Sequence, residues 1–275
     1  MSQIEWITYI AASAFYAVSA AIYVFSVVFK KEHWLKYGAT CAIFGLVPHS
    51  IALLARWIES GHGPYYSMYE VFSSYAWVSV VLFLLSIIRT NKTRFAGLVV
   101  MPVSFILMGL GFNVSMEIST VPPSLNSFWL VAHVGFAKLG FGSILIATGM
   151  SVLHLLKERE PVRYREFFER FPPIRIMDDL SYQFVAVGFI FLTIMVAAGA
   201  IWADQTWGRY WGWDPIEIWS LISWLVYGVY LHLRMNVGWG GKRAAWLMVF
   251  NMVILIFSLF ATGIVYDGLH SAYMT

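Results

Sequence analysis

Along this chain, long apolar runs alternate with short polar connections eight times. The runs are Trp6–Phe29, Tyr37–Ala55, Val71–Ile88, Phe95–Val114, Phe128–Leu156, Leu180–Ala203, Ile218–Leu233 and Ala244–Tyr266. Each equals or approaches the roughly 20 apolar residues that a helix needs to cross a bilayer core. All lack Asp, Glu, Lys and Arg except the fifth, which holds Lys138. The pattern predicts an all-α, polytopic integral membrane protein of eight transmembrane helices. No internal repeat or low-complexity tract interrupts it, so residues 1–275 read as one integral membrane domain. The opening Met-Ser-Gln-Ile-Glu lacks the basic stretch of a cleaved signal peptide, so the first run is expected to remain as a span.

Composition agrees with this reading. The chain is 60% hydrophobic and 12% charged, whereas a soluble domain is about half apolar and a quarter charged. The placement of the charges adds an orientation. Lys30, Lys31 and Lys36 share one side with Arg89, Lys92 and Arg94, with Lys157, Arg159, Arg163, Arg165, Arg170 and Arg175, and with Arg234, Lys242 and Arg243. Only Arg56 and Arg209 fall in connections on the other side. The basic side is cytoplasmic by the positive-inside rule. Both termini, the Gly61-His62-Gly63-Pro64 turn, the Asn113–Ser127 loop and a Trp-rich loop at about 204–217 are therefore expected on the extracytoplasmic side. The cytoplasmic loop at about 157–179 mixes acids and bases and carries Pro161, Pro172 and Pro173, so it reads as a solvated connector. The net charge of +3 sits beside the membrane, and no nucleic-acid partner is expected. The single cysteine, Cys41, lies in an apolar run and reads as an inert thiol with no internal partner.

The Trp-rich loop changes the picture from scaffold to site. Six of the 13 Trp (Trp202, Trp207, Trp211, Trp213, Trp219 and Trp224) crowd into one short stretch around Trp207-Gly208-Arg209-Tyr210-Trp211-Gly212-Trp213-Asp214. Aromatic faces stack on large planar ligands, and glycines let backbone approach closely. Interfacial belts also concentrate Trp and Tyr, but belts spread over all helix ends instead of piling into one loop.

The seven histidines sort by side and depth. His133 lies about one and a half turns into the fifth span from its outer end, and His270 lies just beyond the last span on the same side. Two imidazoles flanking an aromatic surface suit axial ligation of haem iron. A lone His at a helix end is also a common interfacial polar group. Zinc is the competing metal, but no HExxH or CxxC occurs. His232 sits roughly 20 Å below the outer end of the seventh span, near the inner leaflet. Intramembrane His is a functional candidate by default. His49 lies roughly 10 Å higher, so the two are not expected to share one iron. His154 and His33 lie near the cytoplasmic boundary.

Arg209 and Arg56 are candidate partners for haem propionates, because Arg holds carboxylates bidentately. The alternative for each is an interfacial Arg on lipid phosphate. Asp214, Pro215 and Glu217 carry the spacing of a helix start, with Asp214 as N-cap and Glu217 closing a capping box. Lys138 needs an anion or a water-filled cavity, and Glu70 is a possible partner. The roles of Lys138, His49 and His62 stay open.

The motif Trp-Gly-x-Tyr-Trp-x-Trp-Asp-Pro at Trp207–Pro215, flanked by outer histidines, resembles the tryptophan-rich WWD haem-handling proteins. The stretch Arg56–Pro64, Tyr69-Glu70 and the closing Gly268-Leu269-His270-Ser271 are similar to the CcsA/ResC branch. The resemblance covers most of the chain. It implies a bacterial cytoplasmic or thylakoid-type membrane and a system II role in cytochrome c biogenesis. It further implies non-covalent b-type haem as cargo, held by His133 and His270 at an outer site and by His232 at a membrane site. Trp207, Tyr210, Trp211, Trp213 and Asp214 would form the platform. The implied partners are a CcsB/ResB-like membrane protein, which this chain lacks, and an apocytochrome c with a CxxCH motif. Together they would act as a cytochrome c synthase that forms thioether bonds. The alternatives are a system I WWD haem-delivery protein, a b-type cytochrome subunit, which would bury both ligands among the spans, and a transporter with an aromatic gate.

Overall fold

The computed structural model describes residues 1–118, 121–159 and 168–266. Eight long helices carry the apolar runs. They are α1 (Gln3–Val28), α2 (Trp34–Ser60), α3 (Met68–Arg89), α4 (Gly97–Gly111), α5 (Phe128–Glu158), α6 (Ile174–Trp207), α7 (Pro215–Asn236) and α8 (Gly241–Ile256). A 3-10 segment, Asn91–Ala96, leads into α4. A π turn, Phe257–Ala261, and a last turn, Thr262–Val265, continue α8. All eight spans are long and apolar enough to cross a membrane. Helix is the form expected, because hydrocarbon offers backbone N–H and C=O groups no partner outside the chain.

The helices overrun the apolar limits. α6 begins six residues before Leu180 and ends four after Ala203. Apolar length marks the hydrocarbon, while the backbone ladder continues into the interface until a cap stops it. Ser2 caps α1 through Glu5 N (3.3 Å), and Ser127 caps α5 through Trp129 N (3.2 Å). Ser67 and Glu70 form a full capping box at α3. α6 stops at Gly208, whose φ of +70° is left-handed and natural only for glycine.

α5 is the central helix. Of its most apolar window 83% is buried, against 22% for α7. It packs most extensively on α6, and also on α8, α3 and α4. Small residues permit this: Gly140 of α5 and Gly188 of α6 face each other so closely that a Cβ on either would touch the other's carbonyl. α1, α2, α3 and α4 form a second group around Tyr9, Tyr16, Tyr23, Phe83 and Met108. His49 belongs to this core. It is fully buried, with Nδ1 3.1 Å from Tyr16 OH and Nε2 3.0 Å from Ser73 Oγ. Both ring nitrogens are thus used by the scaffold. Cys41 is half-buried on α2.

The connector before α6 is less solvated than its charge pattern implies. Phe168 and Phe171 are buried, and the Phe171 ring lies 4.9 Å from that of Phe95. Lys157 Nζ donates to the carbonyls of Phe171 and Pro172. At this same end Arg234 pairs with Asp178 at 2.7 Å, and Asp178 also accepts from Gly241 N.

Candidate functional site

A cleft opens at the end of the bundle that carries the 208–214 loop. Its floor comes from α5 and α6, through Leu130, His133, Ala137, Met195, Gly199 and Trp202. One wall comes from Tyr65 and Tyr66 of the turn between α2 and α3. The facing wall is Tyr210 and Trp211 of the loop, with Glu217 and Ser220 of α7 and Ser258 and Leu259 of the π turn. The enclosed volume is about 190 Å³, below the roughly 300–1,000 Å³ of pockets that engulf a small molecule. A large planar ligand would therefore rest partly outside it.

His133 lines this cleft and has the ring nitrogens that could ligate a metal. Its Nδ1 lies 2.8 Å from the Met195 carbonyl. A carbonyl only accepts, so Nδ1 carries the proton and the lone pair lies on Nε2. A backbone carbonyl behind a ligating imidazole is the usual way to fix tautomer and ring direction. Trp211 adds an orphaned donor: its Nε1–H is buried and has no partner among the described residues. Burial and the nearby Glu70 carboxylate raise the Tyr65 phenol, so it lines the cleft as a neutral hydroxyl. Apolar walls, one fixed imidazole and an unsatisfied N–H fit an iron porphyrin with acceptor groups at its edge.

The loop is held by a lock that the sequence spacing implied in part. Asp214 caps α7 by accepting from Ile216 N at 3.0 Å. Glu217 Oε2 accepts from Asp214 N (3.1 Å) and also from Gly212 N (2.7 Å). Between them Trp213 has φ +60°, an unusual value for a bulky residue, and its ring is 68% exposed. Arg209 is exposed and lies against Gly212, where a Cβ would come within 2.6 Å of the guanidinium carbon. The second loop glycine thus makes room for Arg209.

The six crowded Trp do not form one flat surface. Trp202 and Trp211 line the cleft. Trp207 belongs to the last turn of α6 and not to the loop; its ring meets Trp202 edge-on at 5.0 Å, beneath the cleft. Trp213 faces outward. Trp219 packs on Phe257 at 4.5 Å, and Trp224 stacks on Phe189 and donates to Thr193 Oγ1. Helix geometry separates residues that the sequence runs together.

Arg56 is placed away from the cleft. It is 2% exposed, and its Nε donates to Glu70 at 2.9 Å. Its other nitrogens donate to the carbonyls of Met116 (2.7 Å) and Glu117 (2.9 Å), and Glu5 lies 4.0 Å away. These partners give Arg56 a scaffold role in place of the expected propionate contact, because a buried charge takes the nearest counter-ion and acceptors. Lys138 joins the same region, its Nζ donating to the Pro64 carbonyl at 2.7 Å. Glu70, beyond Arg56, accepts from the backbone N–H of Tyr66 and Ser67. This network anchors the turn that supplies the Tyr65–Tyr66 wall. It links residues up to 74 positions apart, which no local motif announces.

His232 is exposed near the far end of α7, on a stripe with Leu225 and Val229. The Asn236 side-chain amide lies 3.0 Å from its Nδ1. His270 lies outside the described residues. His62 is half-buried, its Nδ1 2.8 Å from the Gly63 carbonyl and 3.8 Å from Glu70.

Comparison with known proteins then gives the lineage. The family model for the cytochrome C assembly protein matches residues 65–270. A cytochrome c biogenesis protein CcsA of Guillardia theta is 31% identical over 278 residues, covering 92% of this chain and 91% of its own. The CcsA of Chlamydomonas reinhardtii is 33% identical over 231 residues, covering 80% of this chain; the chain spans 64% of that relative's length. The CcsA of Parasynechococcus marenigrum is 32% identical over 251 residues, with 80% of both chains covered. A solved cytochrome c haem lyase CcmF superposes with a TM-score of 0.67 at 16% identity, over 98% of this chain and 47% of that one, which shows a shared fold. By a family match over most of its length and by these relatives, this multi-pass membrane chain belongs to the cytochrome c assembly proteins, in their CcsA-type branch, and its role lies in cytochrome c biogenesis.

Proposed function

We propose that this chain holds haem at the cleft of its extracytoplasmic face and presents it to an apocytochrome c. The observation that carries this reading is His133, tied through Nδ1 to the Met195 carbonyl and set between the Trp211 and Tyr65–Tyr66 walls. His133 would supply the iron ligand from α5. His270 is the second outer ligand by the motif in the sequence. Trp211 would donate its orphaned N–H, and Tyr210 and Trp202 would meet the ring. Arg209, exposed at the loop edge, is the propionate partner in this reading.

The bound haem supplies the reactive chemistry, its vinyl groups; this chain orients and shields it. Each client thiol adds across a vinyl group, forming one S–C bond and giving its hydrogen to the neighbouring carbon. No oxidant is consumed. The shallow cleft, with Tyr210 61% and Trp213 68% exposed, leaves one edge of the cargo open to the client. On the far half of α7, His232 is exposed, which suits a second haem ligand from a CcsB/ResB-like membrane partner.

The test is a set of reduced and oxidised visible spectra of the full chain in detergent, with and without co-expressed ResB-like partner. Wild type is expected to carry b-type haem. His133→Ala and His270→Ala should alter the same spectral component, and His232→Ala a separate one. A wild type that binds no haem in either preparation, or spectra indifferent to all three substitutions, refutes the reading.

A further inference from the structure

His133 contacts α6 at a position where only glycine fits. Its Nδ1 donates to the carbonyl of Met195, and the residue one turn further along α6 is Gly199. A helix carbonyl is normally screened by the side chain four residues on, because side chains cover the turn that precedes them. Here that screen is missing. A Cβ built on Gly199 would lie 2.6 Å from His133 Nδ1 and 2.9 Å from Cε1, closer than real contacts allow. Gly199 also lines the cleft itself. By contrast, a Cβ on Gly135, two residues after His133 on α5, meets nothing within 4 Å.

We propose that Gly199 is a positioning residue for the haem ligand His133: by exposing the Met195 carbonyl, it fixes the proton on Nδ1 and aims Nε2 into the cleft. The inference rests on the reading of His133 as an outer haem ligand. A methyl group at 199 would push the imidazole off the carbonyl. It would then free the tautomer and tilt the ring. Losing such an outer-shell partner typically lowers metal affinity about 10- to 100-fold.

The experiment is titration of haem b into the full-length chain in detergent, with visible spectra and the midpoint potential as readouts. Gly199→Ala is compared with Gly135→Ala and with Gly188→Ala. The last puts a methyl 2.7 Å from Ile144 on the same helix, a similar insult that does not touch His133. Gly199→Ala is expected to weaken haem binding about 10-fold or more and to shift the spectrum toward that of His133→Ala, while both controls stay near wild type. In the His133→Ala background, adding Gly199→Ala should change nothing further, since residues acting through one contact are not additive. A Gly199→Ala protein that fails to accumulate while the double variant does accumulate also supports the proposal, because it places the clash at His133. Wild-type spectrum and affinity in Gly199→Ala, equal loss in Gly188→Ala, further loss in the double variant, or failure of both Gly199 variants to accumulate overturns it. Unaltered haem in His133→Ala refutes the ligand reading itself, and the role of Gly199 falls with it.

Discussion

Replacing Glu217 with alanine is expected to unlock the loop that carries Tyr210, Trp211 and Trp213. Its carboxylate accepts two backbone N–H bonds, from Gly212 at 2.7 Å and from Asp214 at 3.1 Å. A hydrogen bond to a charged group contributes about 1.5–3 kcal/mol. Glu217 is only partly buried, so the low end applies and the two bonds together amount to about 3 kcal/mol. Trp213, between the two donors, sits at φ +60°, a conformation that stores about 1–3 kcal/mol and persists only while its surroundings enforce it. Removing the clamp therefore lowers the free energy of loop opening by about 3 kcal/mol, or about 100-fold in the opening equilibrium. Hydrogen–deuterium exchange of peptides covering 208–217 reads this directly. Exchange should be about 100-fold faster in Glu217→Ala, with peptides from α5 unchanged. Glu217→Gln keeps a neutral acceptor worth about 1 kcal/mol per bond and should fall between the two. Exchange at the wild-type rate in Glu217→Ala would mean that the loop is held by something other than this carboxylate.

Three further substitutions test the scaffold around the cleft. Arg56→Met leaves Glu5 and Glu70 buried without their counter-ion and should destabilise the chain by about 3–5 kcal/mol, seen as a lower unfolding temperature in detergent; adding Glu70→Gln should restore part of it, and no recovery would show that the pair is not the source. His49→Ala strands the Tyr16 and Ser73 hydroxyls in the core and should cost about 2–4 kcal/mol. It should leave the haem spectrum untouched, and a changed spectrum would refute its scaffold role. Lys138→Met removes the donor to the Pro64 carbonyl, so amide exchange at Tyr65 and Tyr66 should rise about tenfold, the equivalent of one net hydrogen bond; protection equal to wild type would remove Lys138 from the wall's support.

The parts of this protein that depend on neighbours in sequence were legible from sequence alone. The bilayer demands an uninterrupted helical backbone, so apolar length located all eight spans. The start of α7 was equally readable, because Asp214 and Glu217 act across a single turn. The cleft was legible only as an address. Spacing put His133 near the Trp-rich loop, but which Trp face the cleft depends on where α6 ends and α7 begins. Two of the six line it, while Trp219 packs on Phe257 and Trp224 on Phe189. Arg56 looked like an outer cation without a counter-ion because its partners, Glu5 and Glu70, are brought to α2 by two other helices, α1 and α3. His49 looked like any intramembrane histidine until α1 and α3 supplied Tyr16 and Ser73. The Gly199–His133 contact joins residues 66 positions apart through the close packing of α5 on α6. A glycine in an apolar run says only that something can approach closely, as His133 does at Gly199 and nothing does at Gly135. Only the packing of the helices decides what that is, since a long-range contact is set by crossing angle and register, which no local pattern encodes.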